Sequence, residues 1–281
     1  MSRLRVPKRS FLVHHLREHS QYSQSEDWIQ WYADVAVQKG LRTVKMLGEY
    51  KGSFAKVLDV GSGVGITLSF IAQAFPNSTG CDIDKEAIRA TRRILKEVGV
   101  KAPVIVYEGR RLPFSDNSFD IVTSIEVIEH VEDPDRMLRE IWRVLKPDGI
   151  LHITTANKWW PYEPHFKLLF LSYLPARLAD LYVKLSGRGD HYEKIRLPSY
   201  DQFKRSINRY FDIEDVTLSL IENYKKYSFD KERGNKVRMV GEFLTILNKL
   251  DPSPPGHFSK IVKWFLIRMS LGWLFICRPK K

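Results

Sequence analysis

The stretch that most limits what this chain can fold into is residues 57–65, VLDVGSGVG, where an apolar run carrying one acid, Asp59, passes directly into glycines at 61, 63 and 65. Such a run, followed by a helical pattern, opens a strand–turn–helix unit in which the main chain can approach a ligand that side chains would push away. The alternation then repeats. A helical pattern over residues 66–75 stops before Pro76, and STGCDI is a second strand. Residues 85–98 form a helix capped by Asp84, with Ile88, Thr91, Leu95 and Val98 along one face and Gly99 as its stop. PVIVY and FDIVTSI supply a third and a fourth strand. Asp133, Pro134 and the stripe Met137, Leu138, Ile141 and Leu145 predict a helix over residues 134–146, and GILHITT closes the series as a fifth strand. Elements spaced in this way predict an α/β fold, a doubly wound, mostly parallel sheet with helices on both faces, whose ligands bind outside the carboxyl ends of the strands.

The flanks are less regular. Residues 26–47 carry Trp28, Trp31, Tyr32, Val35, Leu41, Val44 and Leu47 at helical intervals, interrupted by Gly40, and read as a helix or helix pair leading into the core. Residues 1–48 are thus an N-terminal helical segment and 49–281 the main domain. After Thr155 the rhythm breaks into an aromatic, proline-punctuated stretch over residues 157–197, which reads as an inserted helical lid above the strand ends. SYDQFKRSI is helical in pattern and FDIEDVTLSLI strand-like. Residues 221–270 form a basic helical insertion, with FSKIVKWFLIRM as its clearest helix, ahead of a last core strand in LGWLFICRPK.

Charge follows the same division. The net charge of +12 sits at the two ends: residues 1–19 hold 5 Lys and Arg against 1 acid, and residues 221–281 hold 13 against 5. Basic clusters of this kind attract the phosphates of nucleic acid, of a nucleotide sugar or of an anionic membrane surface, and a solvated face with no dedicated partner is the plain alternative. Cys81 and Cys277, far apart and without metal-ligand spacing, argue against a disulfide framework and a zinc ribbon, and suit a reducing cytoplasm. The apolar run near residue 11 is too short for a secretory leader, so the chain reads as unprocessed. Lys263, Arg268 and Gly272 interrupt the apolar tail, which disfavours a membrane span and leaves an interfacial amphipathic helix as the alternative to a core strand.

The glycine stretch also narrows the ligand. Ile66 stands where the dinucleotide fingerprint wants its third glycine, which counts against NAD. Asp59 would repel a pyrophosphate but suits a cationic or amino-bearing ligand, and Asp82, at the end of the next strand, is placed to take both ribose hydroxyls. A positively charged nucleoside without a phosphate chain meets both conditions, and S-adenosyl-L-methionine is such a molecule.

At this point the sequence resembles the class I S-adenosylmethionine-dependent methyltransferases, in particular the type 11 group that includes the ubiquinone and menaquinone methylases. VLDVGSGVG, GCDID, EGRRLPFSDNSFDIVTSIEVIEHVEDP and LREIWRVLKPDGILHITT carry the resemblance, in order and over roughly residues 50–156. It implies a Rossmann-like fold and a site in which Gly61, Gly63 and Gly65 surround the methionine portion, with Asp59 beside them. Asp82 would hold the ribose, Ile83 would pack on adenine, and Glu108 and Gly109 would meet the adenine edge. Ser124 completes the implied cofactor set. Glu108 departs from the family's usual aspartate before LPF, and its longer side chain weakens that assignment.

EVIEH, residues 126–130, is the second informative stretch. If it opens a helical turn, Glu126, Glu129 and His130 project to one side. Glu126 and His130 are the candidate catalytic residues, His130 as proton acceptor because imidazole titrates near neutrality. The same groups could bind a divalent ion, with His191 as a fourth ligand, in a spacing similar to that of small-RNA 2′-O-methyltransferases; structural or substrate-packing service is the third option. The aromatic lid favours a small, apolar or lipid-linked acceptor, and Tyr162, Glu163 and His165 are its polar groups of interest. The expectation is a cytoplasmic methyltransferase, peripheral to a membrane at most, with O-methylation ahead of C- or N-methylation. An RNA 2′-O-methyltransferase using a divalent metal, which would want an RNA-binding module not evident here, and a non-catalytic cofactor-binding regulator are the rivals.

Overall fold

The structure, a computed structural model, describes residues 4–19, 26–163, 165–192, 195–250 and 257–281. The first residues of the basic N-terminal start, residues 164, 193 and 194 of the expected lid, and residues 251–256 of the expected basic insertion lie outside the described residues.

Two helices lead in, α1 (Arg9–His19) and α2 (Glu26–Tyr50). The alternating series follows: β1 (Val57–Val60), α3 (Ile66–Ala74), β2 (Ser78–Asp82), α4 (Lys85–Val98), β3 (Val104–Val106), β4 (Phe119–Ile125), a 3-10 turn (Ile128–His130), α5 (Pro134–Val144) and β5 (Leu145–Ala156). The insertion contains a small hairpin of β6 (Tyr162–Glu163) and β7 (Leu168–Leu169), a 3-10 turn (Leu171–Tyr173) and α6 (Ala176–Leu185). Then come α7 (Tyr200–Asn208), β8 (Phe211–Asp215), α8 (Thr217–Glu222), α9 (Phe229–Arg233), α10 (Asn235–Leu250), α11 (His257–Arg268) and β9 (Gly272–Pro279). The main sheet has seven strands in the order β3-β2-β1-β4-β5-β9-β8, parallel except for β9, which runs antiparallel to both of its neighbours.

Strand alternation divides the core between the two sheet faces. Leu58, Val122, Leu151, Ile153 and Phe275 pack with α5 and α7 through Leu138, Ile141, Phe203 and Ile207. Val57, Ile121, Ile150, Leu274 and Ile276 pack on the other side with Val44 and Leu47 of α2 and Phe70 of α3. The local caps form as expected: Asp84 accepts the Glu86 amide at 2.8 Å, and Asp133 accepts that of Arg136 at 3.0 Å. The helix expected over residues 134–146 ends at Val144, where β5 begins.

One open reading is decided and one expectation needs correction. Of the helix or helix pair expected over residues 26–47, the single helix forms, uninterrupted at Gly40 and running from Glu26 to Tyr50. Gly40 sits inside it because Phe70 lies where a side chain would be, a Cβ there falling 2.3 Å from the ring. Residues 211–221 are not one strand: β8 ends at Asp215, whose Oδ1 accepts the Thr217 amide at 3.0 Å, and the chain turns into α8. The expected helix and last core strand of the tail are α11 and β9. Among the described residues no helix is long and apolar enough to cross a membrane.

Candidate active site

The carboxyl ends of β1, β2, β4 and β5 open into one cavity of ≈ 1510 Å³, larger than the roughly 300–1,000 Å³ usual for one small ligand. It has room for a cofactor and a second molecule. One half is floored by the glycine turn. There Gly61 and Gly63 adopt φ of 73° and 51°, in the left-handed region, and the Gly61 amide donates to the Cys81 carbonyl at 2.8 Å. A Cβ on Gly61 would lie 2.5 Å from Val127 Cγ2, so this glycine admits the segment after β4, whereas a Cβ on Gly63 would meet nothing within 4 Å and would project into open space.

Asp82 ends β2 with its carboxylate at this turn. Its Oδ2 accepts the Gly63 amide at 2.8 Å and its Oδ1 the Asp84 amide at 3.0 Å, which holds the loop and leaves further lone pairs for a ligand. Ile83 stands 64% exposed in the cavity wall, with Gly109 and Glu108 also lining it. Asp59 reaches the cavity but is buried and accepts the Thr123 hydroxyl at 2.5 Å; burial pushes its carboxyl up to about 7, so its value as a counter-charge is reduced. Ser124 is the exception in the expected set: it is fully buried in β4 and does not line the cavity.

Residues of the 126–130 segment, Glu126, Val127, Glu129 and His130, also line this cavity. Rather than a regular helical turn, Glu126 has φ of 56° and only Ile128–His130 close a 3-10 turn. Glu126 Oε2 accepts from Lys39 Nζ of α2 at 2.6 Å. Burial opposes its charge, but the Lys39 ammonium outweighs it and holds the carboxyl down at about 2. Glu129 is 1% exposed, and burial, which outweighs the neighbouring His165, pushes its carboxyl up to about 7. His130 opens onto the cavity, and desolvation, helped by the neighbouring His165, lowers it to about 4. His165 packs edge-on to the His130 ring at 5.2 Å, and its Nδ1 lies 2.7 Å from Glu163 Oε1. Burial works against a proton on His165, yet the Glu163 carboxylate prevails and its pKa is raised.

The group that could hold a metal therefore differs from the expected one. The ligating atoms of Glu129, His130 and His165 lie within 4.8 Å of one another, while Glu126 is taken by Lys39 and His191 is exposed outside the cavity lining. Of the three lid groups of interest only His165 lines the cavity; Glu163 orients it, and Tyr162 is 44% exposed elsewhere.

The second half of the cavity was not legible beforehand. Its walls include Trp28, Trp31 and Tyr32 of α2 and Val237 and Val240 of α10, an aromatic and aliphatic surface. Buried cations stand among them, Arg42 pairing with the buried Glu232 of α9 and Arg233 reaching the same carboxylate at 3.0 Å. The available signal was Lys39 and Arg42 three residues apart on the face of α2 that also carries Tyr32, Val35 and Ala36, charges on a stripe otherwise suited to burial.

The sheet order, the bare turn after β1 and the carboxylate ending β2 define a Rossmann-like protein whose cavity opens at the carboxyl ends of its strands. Comparison with known proteins agrees. The family described as "Methyltransferase domain" matches residues 58–153. A ubiquinone biosynthesis O-methyltransferase of Xanthomonas oryzae pv. oryzae (strain PXO99A) is 30% identical over 172 residues, covering 61% of this chain and 68% of that protein. A ubiquinone/menaquinone biosynthesis C-methyltransferase of Cupriavidus metallidurans is 34% identical over 124 residues, covering 43% of this chain and 51% of that one. The chain spans about half the length of several curated relatives that it matches. In fold it is similar to the PH0226 protein of Pyrococcus horikoshii OT3, with a TM-score of 0.51 at 18% identity over 95% of this chain and 99% of that one. The chain belongs to the S-adenosylmethionine-dependent methyltransferase family. Its cofactor is S-adenosylmethionine, and the residues at the turn, open space above Gly63, the Asp82 carboxylate and the exposed apolar side chain of Ile83, are compatible with it.

Proposed function

We propose that this protein methylates a hydroxyl group of a small, apolar or lipid-linked acceptor, a reading supported by relatives named as ubiquinone biosynthesis O-methyltransferases. The carrying observation is the single cavity in which the glycine bed and an aromatic, aliphatic chamber meet at the Glu126–His130 segment. When bound, S-adenosylmethionine supplies a methyl group activated by its sulfonium charge. The chain aligns the acceptor with it and excludes water, a service worth roughly 7–11 kcal/mol in well-oriented systems. Val127, packed against Gly61, ties the 126–130 segment to the cofactor bed. Glu129 and His130 are then the groups placed to take the hydroxyl proton, with Glu163 setting the His165 ring against His130. Glu126, neutralised by Lys39, fixes the turn to α2 rather than accepting a proton.

Carbon methylation is a second reading, favoured by the C-methyltransferases among the relatives. It needs less from a base, so Glu129→Gln separates the two. Transfer of radiolabelled methyl groups from S-adenosylmethionine to fractionated cell extract tests the proposal. Label is expected in the organic phase, in a product whose methyl carbon is bonded to oxygen; label in RNA or confined to water-soluble products refutes the acceptor class. Activity that survives exhaustive chelation with EDTA excludes a metal role for Glu129, His130 and His165.

A further inference from the structure

The helices α10 and α11 close one side of the cavity with Val237 and Val240 from the first and Leu266 from the second, and Met269 follows just past the end of α11. Their outer faces are apolar as well. On α10, Met239, Phe243 and Ile246 are 69%, 46% and 56% exposed, and on α11, Ile261, Trp264 and Phe265 are 65%, 57% and 57% exposed. The intervals of four, three and one residues place each trio along one side of its helix. Large apolar side chains gathered in this way mark a contact surface rather than the scattered exposure usual in a soluble protein.

Charge identifies the occupant. Among the described residues the two helices carry Lys236, Arg238, Lys249, Lys260, Lys263 and Arg268 against one acid, Glu242. Arg238, Lys249 and Lys260 stand exposed on these helices, Lys236 reaches into the cavity, and the Arg268 guanidinium, paired with Asp201 at 2.7 Å, lies 4.1 Å from the centre of the Trp264 ring. A second copy of the chain would bring the same positive charge against itself, which disfavours self-association. Apolar side chains that enter an acyl boundary, bordered by cations and an interfacial tryptophan, match a negatively charged lipid surface. We propose that the outer faces of α10 and α11 dock the protein on an anionic phospholipid bilayer. This surface does not depend on the acceptor, but it sets the cavity behind these helices next to the lipid.

Co-sedimentation of the full chain with vesicles of phosphatidylcholine, with and without phosphatidylglycerol, tests this. Binding is expected to be at least tenfold tighter to the anionic vesicles and to weaken with salt. Ile261→Ala combined with Trp264→Ala and Phe265→Ala should lower vesicle affinity at least tenfold. Arg238→Gln and Lys260→Gln should each lower it about fivefold, the factor equivalent to about 1 kcal/mol per basic residue near such a surface. Unchanged far-UV circular dichroism and unchanged S-adenosylmethionine affinity in calorimetry show that these variants are folded. The proposal is overturned if the wild-type chain does not bind vesicles, binds neutral and anionic vesicles equally, or is unaffected by these substitutions. It is also overturned if the face instead mediates a concentration-dependent dimer that forms without lipid. Vesicle binding without methyl transfer to any lipid-soluble acceptor would sink the acceptor reading alone.

Discussion

Replacing Gly61 by alanine tests whether the glycine turn and the segment after β4 are mechanically joined. Two penalties are expected. A left-handed backbone with a Cβ costs about 1–2 kcal/mol, and Gly61 has φ of 73°. The added carbon would also sit 2.5 Å from Val127 Cγ2 and 2.8 Å from Cγ1, an overpacked contact worth about 1–3 kcal/mol. Gly61→Ala should therefore lower unfolding free energy by about 2–5 kcal/mol in urea titrations. Val127→Ala removes the clashing carbons but leaves the dihedral unchanged, so the double variant should be less destabilised than the sum of the singles by about 1–3 kcal/mol. In methyl-transfer assays Gly61→Ala should lose rate as well as cofactor affinity, because Val127 carries Glu126 and the Ile128–His130 turn with it. Gly63→Ala is the control: with nothing within 4 Å of its Cβ, only the backbone term of about 1–2 kcal/mol applies, and the cofactor should feel the change first. Additive effects of Gly61→Ala and Val127→Ala would refute the reasoning.

Other outcomes are equally specific. Asp82→Ala leaves the Gly63 amide without its acceptor and removes the ribose ligand, so S-adenosylmethionine affinity in calorimetry should fall at least tenfold while the fold persists. Gly40→Val should destabilise by more than about 3 kcal/mol, since even its Cβ would lie 2.3 Å from Phe70; an unchanged urea midpoint would contradict the packing of α2 on α3. Glu129 has its carboxyl pKa raised from 4.5 to about 7 in the folded chain, so the folded state binds the extra proton and stability falls as pH rises between those values. Glu129→Gln should abolish that decline, a gain of about 2–4 kcal/mol above pH 7 by denaturant titration at successive pH values. The same variant should reduce O-methyl transfer about 10²–10⁴-fold with cofactor affinity unchanged, and full activity would remove Glu129 from the proposed chemistry.

What was legible beforehand was what local chemistry writes into short stretches. The glycines after β1, the Asp84 and Asp133 caps and the short apolar strand runs each depend on neighbours in sequence, and all are present. The misreadings came from partners far along the chain. Whether Gly40 broke the helix stayed open because Phe70 was not in view. Residues 216–222 kept an apolar pattern that suited a strand, yet the Val216 amide and the Thr217 hydroxyl bond to Leu274 and the chain leaves the sheet there. Glu126 was expected to act with Glu129 and His130, and no spacing rule announces a lysine 87 residues upstream. His165 rather than His191 joins His130 because Glu163, buried in β6, fixes its ring. Ser124 follows the pleat into the sheet interior, where only the register of β4 decides the matter.

The placement of β9 carries a consequence for how the molecule assembles. It lies between β5 and β8, so among the described residues β8 pairs with the sheet only through it. More than a hundred residues separate the paired strands β5 and β9, and closing so long a loop is slow. The sheet must therefore wait with an open edge at β5 until that late strand slots in, and amide protons of β8 should exchange no more slowly than those of the strand that moors it.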